Sequence, residues 1–183
     1  KQLESAKAQN PDVICVSMHW GIEYKLQPNT EQTDLADYLF ENGADIILGS
    51  HPHVLEPMEK RTVTLSDGTK KDGFVIYSLG NFISAQYQNK NTCTNYKCTT
   101  ELMTSLKIEK DIKNNQTSVK ITNVENELLY NYYNQSTWRN FKVIPFSNPK
   151  IKEYLPNYKE VYNTYKAVVQ KMDNEITVKD AAE

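Results

Sequence analysis

With 183 residues, the chain has a length typical of one well-filled domain rather than two. Its 21 lysines and arginines against 23 aspartates and glutamates give a formal charge of −2, so it lacks the basic excess of nucleic-acid-binding proteins and we expect no nucleic-acid partner. No apolar run approaches the roughly 20 residues that cross a bilayer. The chain opens on Lys1–Gln9, which resembles the end of an amphipathic helix without initiator methionine or leader, so we expect a longer parent protein.

The first half of the chain carries the pattern of a strand, a helix and a second strand. The apolar run Asp12–Met18 predicts a strand buried on both faces, as in a parallel sheet, with Cys15 as a small buried hydrophobe. A second buried strand is predicted over residues 44–48. This order implies parallel pairing with a right-handed crossover.

The helix between these strands is predicted over residues 31–42. Asn29 or Thr30 can cap its start, and Gly43 is placed where a left-handed residue usually ends a helix. Its apolar residues fall on one face: Leu35, Ala36, Leu39 and Phe40.

Beyond residue 60 the pattern changes to strands joined by turns, followed by a helix. Asp67-Gly68 signals a hairpin reversal, and the Asn- and Lys-rich residues 110–117 predict a second turn. Residues 149–172 are predicted to be largely helical, with Pro156 as a break or first-turn residue. The predicted strands of this part cover residues 61–65, 73–79, 102–109, 118–125 and 138–146.

The last helix carries a stripe of large apolar residues at helical spacing. We expect the stripe to dock on the sheet, with a partner protein holding the helix in a groove as the alternative. The stripe consists of Tyr158, Val161, Tyr162, Tyr165, Val168, Val169 and Met172. Together these elements predict an α/β fold with a mixed sheet and a C-terminal helix.

Three consecutive predicted strands are followed by polar residues just past their carboxyl ends, where open α/β sheets bind ligands. Neutral imidazoles suit Zn, Fe or Ni, and Mn also if oxygen ligands join them. We therefore predict His19, His51 and His53 as metal ligands, although His19 taken alone is equally explained as a structural histidine. Because Pro52 biases the preceding residue toward an extended shape, we expect rigid presentation of both flanking imidazoles.

The other residues at these strand ends have competing interpretations. Glu23 either positions a substrate or imidazole or is a solvated carboxylate, and Asn81 either donates its amide to a phosphate or carboxylate or stabilises a turn. Trp20 either walls a pocket or belongs to ordinary packing. We predict catalytic roles for Glu23 and Asn81 and substrate-binding roles for Trp20 and Ser50.

Three strings carry a family resemblance: His19–Tyr24, Gly43–Val54 and Tyr77–Phe82. In this order they resemble the bacterial CapA family of capsule-synthesis proteins, which is associated with poly-γ-glutamate and is similar in fold to the calcineurin-like metallophosphoesterases. The resemblance covers roughly residues 10–85.

The resemblance implies the second half of a four-layer α/β sandwich around a divalent metal ion (Zn, Mn or Fe). His51 and His53 would match the paired histidines of that fold, and His19 the lone histidine before them. The remaining ligands would precede residue 1, so we expect this chain alone to be inactive. Residues 1–146 would form the C-terminal half of the domain, and residues 147–183 a helical extension packed on it.

Cys93 and Cys98 flank four residues of a polar loop. From their spacing, a local disulfide and two free thiols are equally good interpretations, and the oxidising cell-surface location that the family implies favours the disulfide. We expect an extracytoplasmic protein, at the bacterial cell surface or membrane-anchored through its N-terminal part.

The leading functional hypothesis is a CapA-type protein of poly-γ-glutamate capsule synthesis. Its partners would be an anionic polymer or a phosphorylated or carboxylated substrate, and the membrane-bound capsule machinery. Whether it is an enzyme stays open, a metal-dependent hydrolase being one possibility. The alternatives are a non-catalytic module that binds polymer or partner on the same fold, and a metallophosphoesterase unrelated to capsule.

Overall fold

A four-stranded mixed sheet organises the first half of the protein. The computed structural model describes residues 1–65, 68–113 and 116–183. The sheet has the order β1-β2-β4-β3, in which β1 pairs with β2 and β2 with β4 in parallel, whereas β3 and β4 form an antiparallel hairpin. In chain order, the helices and strands of this half are α1 (Gln2–Lys7), β1 (Cys15–His19), α2 (Thr30–Glu41), β2 (Ile46–Ser50), β3 (Met58–Thr64) and β4 (Lys70–Ile76).

Helix α2 connects β1 to β2, which confirms the predicted strand–helix–strand unit. Asn29 is the cap: its side chain accepts a hydrogen bond from the Gln32 backbone N–H, while the Gln32 side chain accepts one from the Asn29 N–H. Gly43 follows the helix with φ of 108°, a left-handed conformation that favours glycine. Ala36, Leu39 and Phe40 pack against the β2 and β4 face of the sheet.

Strand β1 is less covered than its apolar sequence predicts. Its side chains alternate between exposed and half-buried, and Cys15 is exposed. The predictions of a strand buried on both faces and of a buried Cys15 are therefore wrong. The physical reason is that β1 lies at the edge of the described sheet and pairs on one side only, with β2.

A second, antiparallel sheet follows, formed by β5 (Thr100–Lys113), β6 (Gln116–Asn134) and β7 (Arg139–Pro145) in that order. Strands β5 and β6 are longer than predicted, and much of the predicted turn over residues 110–117 is strand, whereas β7 is one residue shorter at each end than the predicted strand over residues 138–146. Asn114 and Asn115 of that turn, and Ser66 and Asp67 of the predicted first hairpin reversal, lie outside the described residues.

The chain ends with helices α3 (Ile151–Tyr154) and α4 (Tyr158–Val169), separated at Pro156 as predicted. Five of the seven stripe residues are buried, Val168 is half-buried and Met172 is exposed, so docking of α4 on the protein is confirmed. The segment after α4 also packs, through Ile176 and Val178, although its sequence showed no pattern. No helix in the described ranges is long and apolar enough to span a membrane.

One hydrophobic core unites these parts. The face of the first sheet opposite α2 contributes Ile46, Phe74 and Ile76, and the second sheet contributes Leu102 and Leu128. Helix α4 and the final segment complete the same core. The α/β class, the mixed sheet and the C-terminal helix are thus confirmed, with a separate antiparallel sheet in addition.

Candidate metal centre at the strand ends

The parallel register of β1 and β2 brings the histidines together. His19, the last residue of β1, pairs with Ser50, the last residue of β2, so that His51 follows directly beside it. The ring centroids of His19 and His51 are 4.4 Å apart, and those of His51 and His53 are 6.0 Å apart. The carboxyl ends of two neighbouring parallel strands therefore place all three imidazoles of the protein in one region.

Glu23, His51 and His53 form a cluster that could hold a metal ion. One ligand atom from each lies within 4.8 Å of the other two. The Glu23 Oε1 atom is 3.8 Å from the His53 Nε2 atom, and their side chains are 50% and 34% exposed. A tetrahedral zinc ion with bonds of about 2.1 Å needs ligand atoms about 3.4 Å apart, so a small closure of these side chains would suffice. His19 lies next to this cluster rather than within it.

Asn81 determines which ring nitrogen of His53 carries the proton. Its Nδ2 group faces three acceptors, the His53 carbonyl at 3.2 Å, Gln86 Oε1 at 2.9 Å and the Cys98 carbonyl at 3.1 Å. The Asn81 Oδ1 atom, which can only accept hydrogen bonds, then lies 3.0 Å from His53 Nδ1. His53 Nδ1 therefore carries the proton, and the lone pair of Nε2 is free toward Glu23. An imidazole oriented in this way is typical of metal ligands.

The backbone around the cluster adopts conformations that non-glycine residues rarely take. The φ angles are 64° at Tyr24, 101° at His51 and 61° at His53. The expectation that Pro52 holds His51 extended is therefore wrong, because the turn after β2 forces His51 into a positive φ. Each such residue costs on the order of 1–3 kcal/mol, and this kind of strain is concentrated at functional sites.

Gly49 and Trp20 support the strand ends from within the protein. A Cβ atom on Gly49 would lie 1.9 Å from the Tyr77 carbonyl oxygen and 2.6 Å from Trp20 Nε1, so only glycine fits. Trp20 is buried, stacks on Tyr77, and donates its ring N–H to the Tyr77 carbonyl at 2.8 Å. This is the packing role that the sequence left open. Ser50 is exposed and donates its hydroxyl to the Met18 carbonyl.

The loop after Asn81 forms a wall of the site. Cys93 and Cys98 form a disulfide that packs against Val54, directly after His53. Tyr24 stacks on His53, with ring centroids 6.0 Å apart, and receives a hydrogen bond from Gln86 on its hydroxyl. Gln86 is a residue that the sequence patterns did not single out, since it lies in a polar loop without periodicity.

A buried carboxyl group lies three residues past His53. Glu56 is fully buried, and its Oε2 atom accepts a hydrogen bond from Gln32 Nε2 at 2.6 Å. Burial raises the pKa of Glu56 to about 7. The hydrogen bond from Gln32 acts in the opposite direction, but its effect is smaller. The cap of α2 is thereby connected to the segment that carries the histidines.

Two imidazoles and one carboxylate are the donor set of catalytic zinc sites and of non-haem iron sites, both of which keep positions open for substrate or water. The described geometry thus assembles Glu23 with His51 and His53, places His19 beside them, and uses Asn81 to orient the His53 ring. The polar atoms of Asn81 and Trp20 already have partners within the protein.

Comparison with known proteins identifies relatives of the segment that carries this site. Residues 1–86 match a family described as "Bacterial capsule synthesis protein PGA_cap". The chain is 43% identical over 82 residues to the PGA biosynthesis protein CapA of Bacillus subtilis (strain 168), covering 45% of this chain and 19% of that protein. It is 40% identical over 89 residues to the capsule biosynthesis protein CapA of Bacillus anthracis, covering 47% of this chain and 20% of that protein. The matched segment thus spans about a fifth of the length of these relatives, and residues 1–86 of the chain are similar to the PGA_cap family of bacterial capsule-synthesis proteins.

Proposed function

We propose that this protein serves the synthesis of a poly-γ-glutamate capsule, as the names of its relatives indicate for them. The observation that supports this most directly is that the family match over residues 1–86 contains the candidate ligands Glu23, His51 and His53, together with His19 and Asn81. Since the match covers about a fifth of the relatives, the activity of the whole protein is part of the proposal.

We further propose that Glu23, His51 and His53 hold a divalent ion, Zn, Mn or Fe. Such an ion, when bound, supplies a Lewis acid for a phosphoryl or carbonyl oxygen. Asn81 keeps the proton of His53 on Nδ1 and so directs Nε2 toward the ion. His19, 4.4 Å from His51 between ring centroids, either adds a ligand or contacts the substrate.

The finer fold assignment belongs to the same proposal. We propose that the mixed sheet and the antiparallel sheet correspond to the second half of a calcineurin-like metallophosphoesterase sandwich. In that arrangement further metal ligands come from sequence outside this chain. The division into residues 1–146 and a packed extension over 147–183 follows from the same correspondence.

The proposed location and partners are supported by the chemistry of the site and of the loop beside it. The Cys93–Cys98 disulfide is compatible with an oxidising compartment, which supports an extracytoplasmic, cell-surface location. We propose an anionic polymer or a phosphorylated or carboxylated substrate, because a divalent ion attracts such groups, and the membrane-bound capsule machinery as the partner.

The decisive experiment measures bound metal. The purified protein is dialysed against Zn²⁺ or Mn²⁺ and its metal content and affinity are measured for the original sequence, Glu23→Ala, His51→Ala, His53→Ala and His19→Ala. We expect near-stoichiometric binding that is lost in the first three variants. The exposed Glu175, outside the site, provides the matched control Glu175→Ala, which should bind normally. Absence of stoichiometric binding by the original protein would refute the metal site.

The capsule role is tested separately in cells. A strain that makes poly-γ-glutamate and carries the whole parent protein with His53→Ala should release less polymer than the same strain with Glu175→Ala. Equal polymer yields would contradict a role of this site in capsule synthesis even if the metal is bound.

A second candidate is a non-catalytic module that binds polymer or a partner on the same fold. It is favoured by the internal use of Asn81 and Trp20, whose polar atoms are bonded to protein groups. Phosphodiesterase or amide-hydrolase turnover that His19→Ala abolishes would exclude this candidate.

A further inference from the structure

A second concave site, whose lining contains none of the candidate metal ligands, lies where β6 extends beyond β5. Strand β5 begins at Thr100, opposite Tyr130, and the last bond on that side runs from the Asn131 N–H to the Thr99 carbonyl. Residues 132–134 of β6 therefore border a cavity of about 340 Å³. This volume is within the range of roughly 300–1,000 Å³ that is typical of small-molecule sites.

The lining of this cavity is uncharged and rich in tyrosine. Charged residues make up 24% of the chain, yet none is among the ten that line the cavity. Every one of the ten can donate or accept hydrogen bonds, and five offer aromatic faces. They are Tyr87, Gln88, Tyr96, Thr99, Tyr130, Asn131, Tyr132, Tyr133, Asn134 and Gln135.

Two of these rings are held in place from outside the cavity, and two others contact each other within the lining. Tyr133 stacks on Phe141, with centroids 4.9 Å apart, and donates its hydroxyl to the Ala85 carbonyl at 2.7 Å. Tyr132 packs edge-on against Tyr154 at 4.9 Å. Tyr96 meets Tyr130 edge-on, with centroids 6.4 Å apart. Rings fixed in this way lose little conformational freedom on binding, which favours affinity.

Asn131 provides a second, independent indication of a ligand. Its side chain is 99% buried (1% exposed), and its Nδ2 group donates to the Ser84 carbonyl at 2.7 Å. Its Oδ1 atom has no hydrogen-bond partner among the described residues. A buried acceptor without a donor is costly, by about 1–3 kcal/mol. Because this oxygen has less than 1 Å² of accessible surface, a ligand hydroxyl in the cavity would satisfy it only after a small movement of the lining.

We propose that this cavity binds an uncharged saccharide unit. The apolar faces of a sugar ring stack on tyrosine rings, and its many hydroxyls need the amides and phenols that the lining supplies. An anionic ligand is disfavoured because none of the described lining residues is a lysine or arginine. A metal ion is disfavoured because the same ten residues include no carboxylate or imidazole. Burial raises the pKa of Tyr130 to about 12, so this lining phenol stays neutral at physiological pH.

The experiment titrates the full chain, in EDTA so that metal plays no part, with cellobiose, maltose and N,N′-diacetylchitobiose. Binding is followed by amide chemical shifts and calorimetry, with a γ-linked glutamate trimer as the charged comparison. We expect saturable binding of at least one disaccharide, with shifts at the lining residues. Tyr87→Ala and Gln135→Ala remove exposed lining side chains, and the first should weaken binding about tenfold through loss of ring stacking.

The matched control is Tyr38→Ala, which removes a tyrosine that is 58% exposed, against 42% for Tyr87, from α2, outside the cavity, and should leave binding unchanged. Failure of all three disaccharides to bind saturably would overturn the proposal. Tighter binding of the glutamate trimer than of every sugar would do so too, as would Tyr87→Ala and Gln135→Ala variants that bind like Tyr38→Ala. None of these outcomes bears on the metal site, which is tested without sugar.

Discussion

Gly49, at the level of single residues, lets β2 approach the core closely enough for His51 to emerge beside His19. A methyl group there would overlap the Tyr77 carbonyl oxygen at 1.9 Å, which is backbone and cannot rotate away. The strand end and the histidines that follow it therefore depend on the absence of a side chain at this position.

The variant Gly49→Ala should lower the free energy of unfolding by at least 1–3 kcal/mol, roughly the cost of overpacking a closely packed interior. Urea denaturation measures the change. The neighbouring variant Ser50→Ala loses only an exposed hydroxyl's hydrogen bond to Met18 and should cost about 1 kcal/mol or less. If both variants were equally stable, the close approach of β2 to Tyr77 would be wrong.

Glu101 is a buried carboxyl group in β5 with an unusual environment. It is 1% exposed, and neither carboxylate oxygen has a hydrogen-bond partner among the described residues. Burial raises the pKa of Glu101 from 4.5 to about 9. The folded protein thus keeps a proton on Glu101 at neutral pH that the unfolded chain releases.

The raised pKa of Glu101 makes the free energy of unfolding fall as pH rises. Because the folded state binds more protons than the unfolded state between about pH 4.5 and pH 9, the contribution of Glu101 is fully present below that window and is lost as pH rises through it. The variant Glu101→Gln, which has no titrating proton, should therefore show a flatter decline in the free energy of unfolding, by up to roughly 1 kcal/mol per pH unit.

Urea denaturation at pH 5, 7 and 8.5 tests this, with Glu175→Gln as the exposed control. Glu56, whose pKa of about 7 is raised in the same direction, contributes equally to both proteins and cancels in the comparison. Parallel pH profiles for the original protein and Glu101→Gln would contradict a buried, protonated Glu101.

The elements differ in how far the sequence predicts them. Helix α2 is predicted to within one residue at each end, because its apolar spacing and its Asn29 cap are local signals. The exposure of Cys15 is not predictable in this way, because it depends on which strand lies at the sheet edge, a property of pairing with distant residues. The buried Ile176 likewise lacks any local pattern.

The candidate site, like the fold, is only partly predictable from the sequence. The three histidines are predicted from motifs at strand ends, because parallel strands align their carboxyl ends. The proximity of Glu23 to His53, and the role of Asn81 in orienting His53, depend on loop backbones with positive φ at Tyr24 and His51. The sequence instead favoured an extended His51, and no local signal reveals such loop conformations.

The Cys93–Cys98 disulfide is the covalent element of the site's wall. Replacing both cysteines by serine should lower the free energy of unfolding by about 2 kcal/mol, the chain-entropy expectation for closing so short a loop. It should also loosen the Cys98 carbonyl from Asn81. Thermal denaturation, with Cys15→Ser as the control for a free exposed cysteine, provides the measurement. Unchanged stability in the double variant would show that the disulfide is dispensable.

At the scale of the whole molecule, the hydrophobic core includes residues beyond the segment that matches the family. The match ends at residue 86, whereas the core also contains Leu102, Leu128, Tyr165 and Ile176. The segment that carries the candidate site therefore completes its core with a sheet and a helix that lie beyond the match.

Metal binding should accordingly stabilise the whole fold. The proposed ligands Glu23, His51 and His53 come from loops after two different strands, so unfolding separates them. At a free Zn²⁺ concentration of 100 times Kd, the free energy of unfolding should rise by about 2.7 kcal/mol, and EDTA should reverse the gain. His53→Ala should show neither effect, and Glu175→Ala should show both. A rise of equal size in His53→Ala would indicate binding elsewhere on the protein.

The short segment from Cys93 to Thr100 lies between the two proposed sites. The Cys98 carbonyl accepts a hydrogen bond from Asn81, which orients His53, and Tyr96 and Thr99 line the tyrosine-rich cavity. A saccharide that shifts this segment would change the position of Asn81 relative to His53. The binding of saccharide and the binding of metal would then be coupled. Thermodynamic reciprocity then requires that whatever factor the sugar applies to metal affinity, the metal applies to sugar affinity.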